Sequence, residues 1–257
     1  MHCFIFDIET IPDTEFGRRM WNLDELSDSE VATAMTFMHQ QKTGSEFLPP
    51  HMQQVVAISV VFRTGDQVRV WSLGDRDADE ADIIQRFFDG IQRYSPELVS
   101  WNGNCFDLPV LHYRALKLGI QAPRYWEIGD GDRSFRYNNY LSRFHWRHVD
   151  LMDVLSGFQN RGRASLEQMA IMLGFPGKLG MSGDKVWQCW LDGGIEDIRN
   201  YCETDVLNTY LVYLRFQFMR GLLDDAGLQA EYALLRAQLR EYDKPHLNEF
   251  LNAWQKD

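Results

Sequence analysis

The chain is poor in cysteine, short of positive charge and without a long apolar run. Four of its 257 residues are cysteine. Cys3, Cys105, Cys189 and Cys202 lack the spacing of metal ligands, so they read as reduced core thiols in a cytoplasmic protein rather than a secreted disulfide scaffold. No stretch is apolar for the roughly 20 residues a membrane-spanning helix needs. There is no internal repeat or low-complexity tract, and the first strand starts at the N-terminus, leaving no room for a signal peptide. With 37 acidic against 26 basic residues the formal charge is −11. A broad basic face gripping duplex nucleic acid through many phosphates is therefore not expected. What is present, 45% hydrophobic and 13% aromatic residues, suffices for one substantial core, and the length allows a single α/β domain over residues 1–257.

Three short acidic clusters carry the chemical information. His2 to Glu9 is an unbroken β-favouring run and reads as a strand buried on both faces, central in a sheet. Alternation puts Cys3, Ile5, Asp7 and Glu9 on one face and Phe4, Phe6 and Ile8 on the other, so two carboxylates leave one face at the strand's exit, just before Pro12. Such a pair fits solvated charge, or a site where a cation compensates buried acids. In the second cluster, Leu98–Trp101 reads as a short strand, Asn102-Gly103-Asn104 as a turn, and Leu108 onward as a helix tolerating Pro109 in its first turn. Asp107 lies at that junction, as an N-cap or a metal ligand. The third cluster is helical: Ile195–Arg220 repeats apolar residues at helical spacing, Gly193-Gly194 precede it and Gly221 follows. Tyr201 and Asp205, four apart, stack on one face of that helix, whereas Glu203 points elsewhere and reads as solvated.

Taken in order, Phe6-Asp7-Ile8-Glu9-Thr10, Asn102-x-x-x-Phe106-Asp107 and Tyr201-x-x-x-Asp205 resemble the three motifs of the DEDD exonuclease superfamily in its tyrosine-bearing branch. The chain is most similar to the predicted 3′–5′ exonucleases related to the proofreading domain of family-B DNA polymerases. Leu173-Gly174-Phe175-Pro176-Gly177-Lys178 resembles the stretch before the third motif of that group. The resemblance spans roughly residues 1–220. It implies a ribonuclease-H-like fold, a central mixed five-stranded sheet flanked by helices. It also implies two divalent ions, Mg²⁺ or Mn²⁺, held by Asp7, Glu9, Asp107 and Asp205, with Tyr201 orienting the attacking water. Two such ions about 3.5–4 Å apart can activate water and neutralise a leaving alkoxide, and hard cations take carboxylate oxygens. Asp7 is then the bridging candidate, Glu9 and Asp205 serve the nucleophile side, and Asp107 the second ion. Thr10, Asn102, Phe106 and Lys178 are candidates to bind substrate. The expected substrate is the 3′ end of single-stranded DNA or RNA, released as nucleoside 5′-monophosphates, and no protein partner is legible. The alternatives are a catalytically silent nucleic-acid-binding domain, or a phosphodiesterase acting on nucleotides or short oligomers.

The rest of the chain is read around this pocket. Residues 13–45 form a polar helical insertion. Val55–Arg63 and Gln67–Leu73 are strands joined by a hairpin at Thr64-Gly65-Asp66, and Ala78–Tyr94 is a helix. Between residues 124 and 148 arginines interleave with aromatics, either as a stacking surface for bases or as a loop whose rings enter the core. Val149–Asp153 is a further short element, with Asp150 and Asp153 in capping or surface roles and His145 and His148 structural. Leu222–Leu239 reads as a terminal helix opening a C-terminal extension to residue 257, whose sequence past Tyr242 carries no clear signal.

Overall fold

The computed structural model describes residues 1–254; the last three residues of the expected extension lie outside it. Strand β1 (His2–Pro12) is the middle of a five-stranded sheet. It pairs antiparallel with β2 (Gln53–Thr64) on one side and parallel with β4 (Glu97–Ser100) on the other. Strand β3 (Gln67–Ser72) continues the antiparallel side and β5 (His148–Asp150) the parallel one, giving the order β3-β2-β1-β4-β5. This is the mixed α/β, ribonuclease-H-like architecture expected from the sequence.

The continuous apolar run of β1 is explained by helices on both faces. Cys3 and Ile5 enter one core with the long helix α8 (Ile195–Met219). Phe4, Phe6 and Ile8 enter a second core with α3 (Glu80–Tyr94) and α4 (Asp107–Leu118). Between β1 and β2 lie α1 (Thr14–Trp21) and α2 (Asp28–Thr43), the latter opened by a capping box of Ser27 and Glu30. They are fastened to the body by Arg114 of α4. Its guanidinium is buried between the carboxylates of Asp13 and Glu80, and Lys117 Nζ reaches Asp13 at 2.9 Å.

Helix α8 is apolar on nearly every side because it is covered on nearly every side. The sheet lies against one face, and α9 (Asp225–Tyr242) and α10 (Pro245–Trp254) cover another. Across that layer Arg63 of β2 makes a two-pronged contact with Glu231 of α9, which also accepts the Tyr210 hydroxyl at 3.0 Å. The stretch beyond Tyr242 is thus a helix whose Leu247, Phe250, Leu251 and Trp254 are buried in the core. Its helical spacing of apolar residues was present in the sequence but short. A five-residue helix, α5 (Leu151–Leu155), follows β5 directly, and α6 (Leu166–Met172) and α7 (Val186–Leu191) flank the glycine-rich loop before α8.

Candidate active site

The exit of β1 sets the site. Asp7 pairs with Ser59 and Glu9 with Ala57, and then the register slips so that Thr10 faces Val55. The bulge in β2 bends the sheet edge just where the two acids leave it, a common device beside functional sites. Glu9 is buried and Asp7 is half-buried. Thr10 is half-buried beyond the slip.

Asp107 arrives from the other side of β1. The turn after β4 is held in a left-handed conformation at Asn102 (φ 68°), a region in which Asn is among the tolerated residues. Asp150 organises the turn, its carboxylate accepting the backbone N–H of Asn102 at 3.0 Å and of Asn104 at 2.9 Å. Gly103 packs so tightly that a Cβ there would collide with the side chain of Ser100. The chain then enters α4 with Phe106, not Asp107, at the N-cap, and Phe106 offers no side-chain cap. Asp107 is the first helical residue, and its side chain is buried. The capping role considered from sequence is therefore not the one it fills. Phe106 is half-buried, its ring 5.2 Å from that of Phe47, and Asn102 Oδ1 is buried without a hydrogen-bond partner.

Helix α8 delivers Tyr201 and Asp205 on one face, both buried. Lys178, from the glycine-rich loop, stands over the Tyr201 ring with Nζ 5.9 Å from its centre. That loop is pinned to α8 by Asn208, whose amide accepts from Gly177 N–H at 3.1 Å and donates to Gly177 O at 2.8 Å. A cavity of about 760 Å³ borders Tyr201 and Thr204, walled also by Lys185, Asn200 and His246. Of the nine sequence-predicted site residues, Tyr201 alone lines it.

The electrostatics are those of crowded, undercompensated acids. Burial, then Asp107, Glu9 and Asp205, push the Asp7 carboxyl well above the usual range. Burial, Asp205 and Asp107 do the same to Glu9 against the opposing charge of Lys178. Burial raises Asp107 to about 7, Asp150 adding to it, and raises Asp205 to about 6 despite the nearby Tyr201 and Lys178. Burial likewise pushes the Tyr201 phenol up, so it is neutral at physiological pH. Asp205 Oδ1 is buried with no hydrogen-bond partner. Two clustered acids with Cys202 bring one ligand atom each to within 4.8 Å of one another, a group able to hold a metal ion. Uncompensated carboxylates plus an orphaned carboxylate oxygen are the donor set a hard divalent cation needs. The residues present fit such an ion.

Several residues play parts that their sequence positions did not disclose. Glu203 is buried rather than solvated: it accepts Ser72 N–H at 3.0 Å, the Ser72 hydroxyl at 3.1 Å and His246 Nε2 at 2.7 Å. Asp150 caps α5 as one of the expected roles would have it, yet neither it nor Asp153 is at the surface, since Asp153 is buried against Arg143 and Arg163. His148 is buried with Nε2 2.9 Å from the Ser100 hydroxyl, while its Nδ1 has no partner. In the 124–148 segment, Tyr125, Phe135 and Tyr140 are buried, with Arg124 and Arg147 over the Phe135 ring at 4.2 and 3.8 Å. Trp126, Tyr137, Phe144 and Trp146 of the same segment are exposed. No sequence signal distinguished these two sets.

A sheet of this order with four acids and a tyrosine converging on the end of its central strand defines a class of acid-lined α/β proteins. Within it, residues 45–254 match the family model described as "Predicted 3′-5′ exonuclease related to the exonuclease domain of PolB", and the chain belongs to that family. Among curated proteins it is similar to the DNA polymerase of Archaeoglobus fulgidus, at 27% identity over 166 residues, 63% of this chain and 20% of that one. It is also similar to the DNA polymerase of Pyrococcus glycovorans, at 27% identity over 165 residues, 61% of this chain and 21% of that one. The chain thus spans about a fifth of the length of these relatives. Among solved structures, the family B DNA polymerase of the hyperthermophilic archaeon Pyrobaculum calidifontis shares the fold, with a TM-score of 0.50 and 20% identity over 85% of this chain and 24% of that one. No helix among the described residues is long and apolar enough to cross a membrane.

Proposed function

We propose that the protein is a metal-dependent 3′–5′ exonuclease that shortens single-stranded nucleic acid, DNA in preference to RNA, releasing nucleoside 5′-monophosphates. The observation that carries this reading is the convergence of Asp7, Glu9, Asp107 and Asp205 beside Tyr201, with one buried carboxylate oxygen left unpartnered. Membership of the exonuclease family supports it.

Two divalent ions, Mg²⁺ or Mn²⁺, would supply Lewis acidity toward the phosphodiester and lower the pKa of water. Asp7, flanked by Glu9 and Asp107, would be a ligand to these ions. Glu9 and Asp205 would hold the ion that activates water, and Asp107 the ion that neutralises the leaving oxygen. Tyr201, neutral at physiological pH, cannot act as a base; its hydroxyl orients the attacking water by hydrogen bonding. Lys178 offers an ammonium to a phosphate oxygen beside the tyrosine. Thr10, Asn102 and Phe106 would position the terminal nucleotide, and the cavity against Tyr201 has the volume of small-ligand sites, about 300–1,000 Å³. The net charge of −11 favours a short footprint of a few nucleotides and little processivity. The four unpaired cysteines support a reducing, cytoplasmic setting.

The test is digestion of a 5′-end-labelled single-stranded oligomer with metal omitted and then restored. A ladder shrinking from the 3′ end only with metal is expected. Internal cuts would overturn the polarity, and hydrolysis of a mononucleotide ester or dinucleotide in preference to the oligomer would favour the phosphodiesterase reading. Binding without cleavage in either ion would leave the silent-domain alternative.

A further inference from the structure

Cys202 lies between Tyr201 and Glu203 but faces neither cavity nor solvent; it is 0% exposed and packs with Ile11, Val56, Ala57, Val186 and Ile198. Its sulfur lies 3.4 Å from the Asp7 carbonyl oxygen and 3.7 Å from Asp7 Oδ2. With Glu9 it completes the single group, among the described residues, of three metal-ligating side chains whose donor atoms all lie within 4.8 Å of one another. A tetrahedral ion with bonds of about 2.3 Å to sulfur and about 2.1 Å to oxygen holds those two ligand atoms about 3.6 Å apart. The observed sulfur–carboxylate distance of 3.7 Å meets that requirement almost without movement. A second observation points to a ligand at the same place: Asp205, 7% exposed, has Oδ1 without any partner, and its charge bears on both Asp7 and Glu9. Asp7 is only half-buried, which leaves an ion a route from solvent.

We propose that Asp7, Glu9 and Cys202 form a site for thiophilic divalent cations, Zn²⁺ and Cd²⁺, whose binding shuts the hard-cation chemistry of the same pocket. A sulfur ligand adds little for Mg²⁺, which takes oxygen in octahedral geometry, and adds much for zinc-group ions, which take sulfur and oxygen tetrahedrally. On binding, the sulfur–metal bond forms, the thiol proton passes to solvent, and no oxidation occurs. With Asp7 and Glu9 engaged by an ion that Cys202 also holds, those two carboxylates would no longer serve hard ions beside Asp107. The pocket is then occupied and inactive. The inhibitory half rests on the nuclease reading; the binding half does not.

The experiment uses the full chain with Cys105 and Cys189, which are not buried, replaced by serine, and Cd²⁺ as probe. Titration is followed by the ultraviolet sulfur-to-cadmium charge-transfer band and by melting temperature. One equivalent of band is expected, lost in Cys202→Ser and also in Cys202→Ala, should serine disturb packing. Glu9→Gln should weaken the cadmium affinity by at least the ~10-fold that loss of even an outer-shell partner costs. In the cleavage assay with Mg²⁺, the Cd²⁺ concentration for half inhibition should rise about as much in Cys202→Ser. A band that is absent, or that survives both Cys202 substitutions, overturns the site. A band that behaves as expected in a chain that cleaves nothing in Mg²⁺ or Mn²⁺ upholds the site and overturns the nuclease reading instead.

Discussion

Two residues apart on α8, Glu203 meets β3 and α10 while Asp205 meets the end of β1. Both are buried acids. Glu203 is surrounded by donors from Ser72 and His246, with Lys244 Nζ at 3.4 Å. Although burial opposes it, these groups hold its carboxyl below the usual range. Asp205 has an oxygen with no partner and is pushed up to about 6 by burial. Asp13, although partly desolvated, is likewise held down by Lys117 and Arg114. The difference lies in completeness of pairing, not in residue type or depth. Where the fold uses a carboxylate as a fastener it provides all the donors; at the exit of β1 it leaves them to be provided from outside.

The largest expected effect comes from breaking the undercompensated side. Asp7→Ala should lower cleavage of a single-stranded oligomer by at least the ~10²–10³-fold typical of removing one transition-state-stabilising group. In the metal-free protein it should leave the melting temperature unchanged or raise it, because it relieves repulsion. A marked loss of metal-free stability would mean that Asp7 is a fastener after all. The compensated side should respond the other way. Glu203→Ala strands the Ser72 N–H, and breaking a buried charged contact costs about 3–5 kcal/mol, read by urea unfolding. If the variant is as stable as the parent, the contrast between the two acids on α8 disappears.

Supplying the missing partner is the next largest effect. Mn²⁺ or Mg²⁺ at about a hundred times its dissociation constant should stabilise the native protein by roughly 2.7 kcal/mol. Asp205→Asn should shrink that gain, and Glu203→Gln should leave it intact. Melting curves indifferent to millimolar Mn²⁺ would remove the basis for reading the acids as ligands.

Much of this was legible beforehand, and the reasons are local. The β1 run, the hairpin at Gly65 and the periodicity of α8 are signals within a few residues, and they placed Asp7, Glu9, Tyr201 and Asp205 on the correct elements and faces. What sequence could not disclose depends on partners distant in the chain. Glu203 lies on the side of α8 that would face solvent if α10 did not fold back, and α10 itself is a short amphipathic segment whose start is marked only by Pro245. Asp150 supports the turn at Asn102 from 48 residues away. Cys202 lacks ligand spacing because its neighbours Asp7 and Glu9 come from the other end of the chain.

The last predicted effect, spread over several pH units, is the most discriminating, because it separates the two kinds of acid along the pH axis. Carboxyls of the unfolded chain titrate near 4, while Asp107 and Asp205 in the native protein are raised to about 7 and about 6. Between those values the native state holds protons that the unfolded chain has released, so these acids make the metal-free protein less stable as pH rises, by up to about 1.4 kcal/mol per pH unit for each group. Glu203 and Asp13, held low, act in the opposite direction and below that window, losing their contribution as pH drops through the lowered native values. His112 and His148, whose burial lowers them to about 4, oppose the raised acids within the window, since the unfolded chain protonates them first. A bare stability profile therefore mixes opposing slopes, but the difference between the parent chain and Asp205→Asn cancels the histidines. In chelator, that variant should gain on the parent progressively from pH 4 to pH 7, measured by urea unfolding at each pH. A gap that stays constant would show that Asp205 ionises freely, and that the unpartnered carboxylate is not held out of its normal range by the fold.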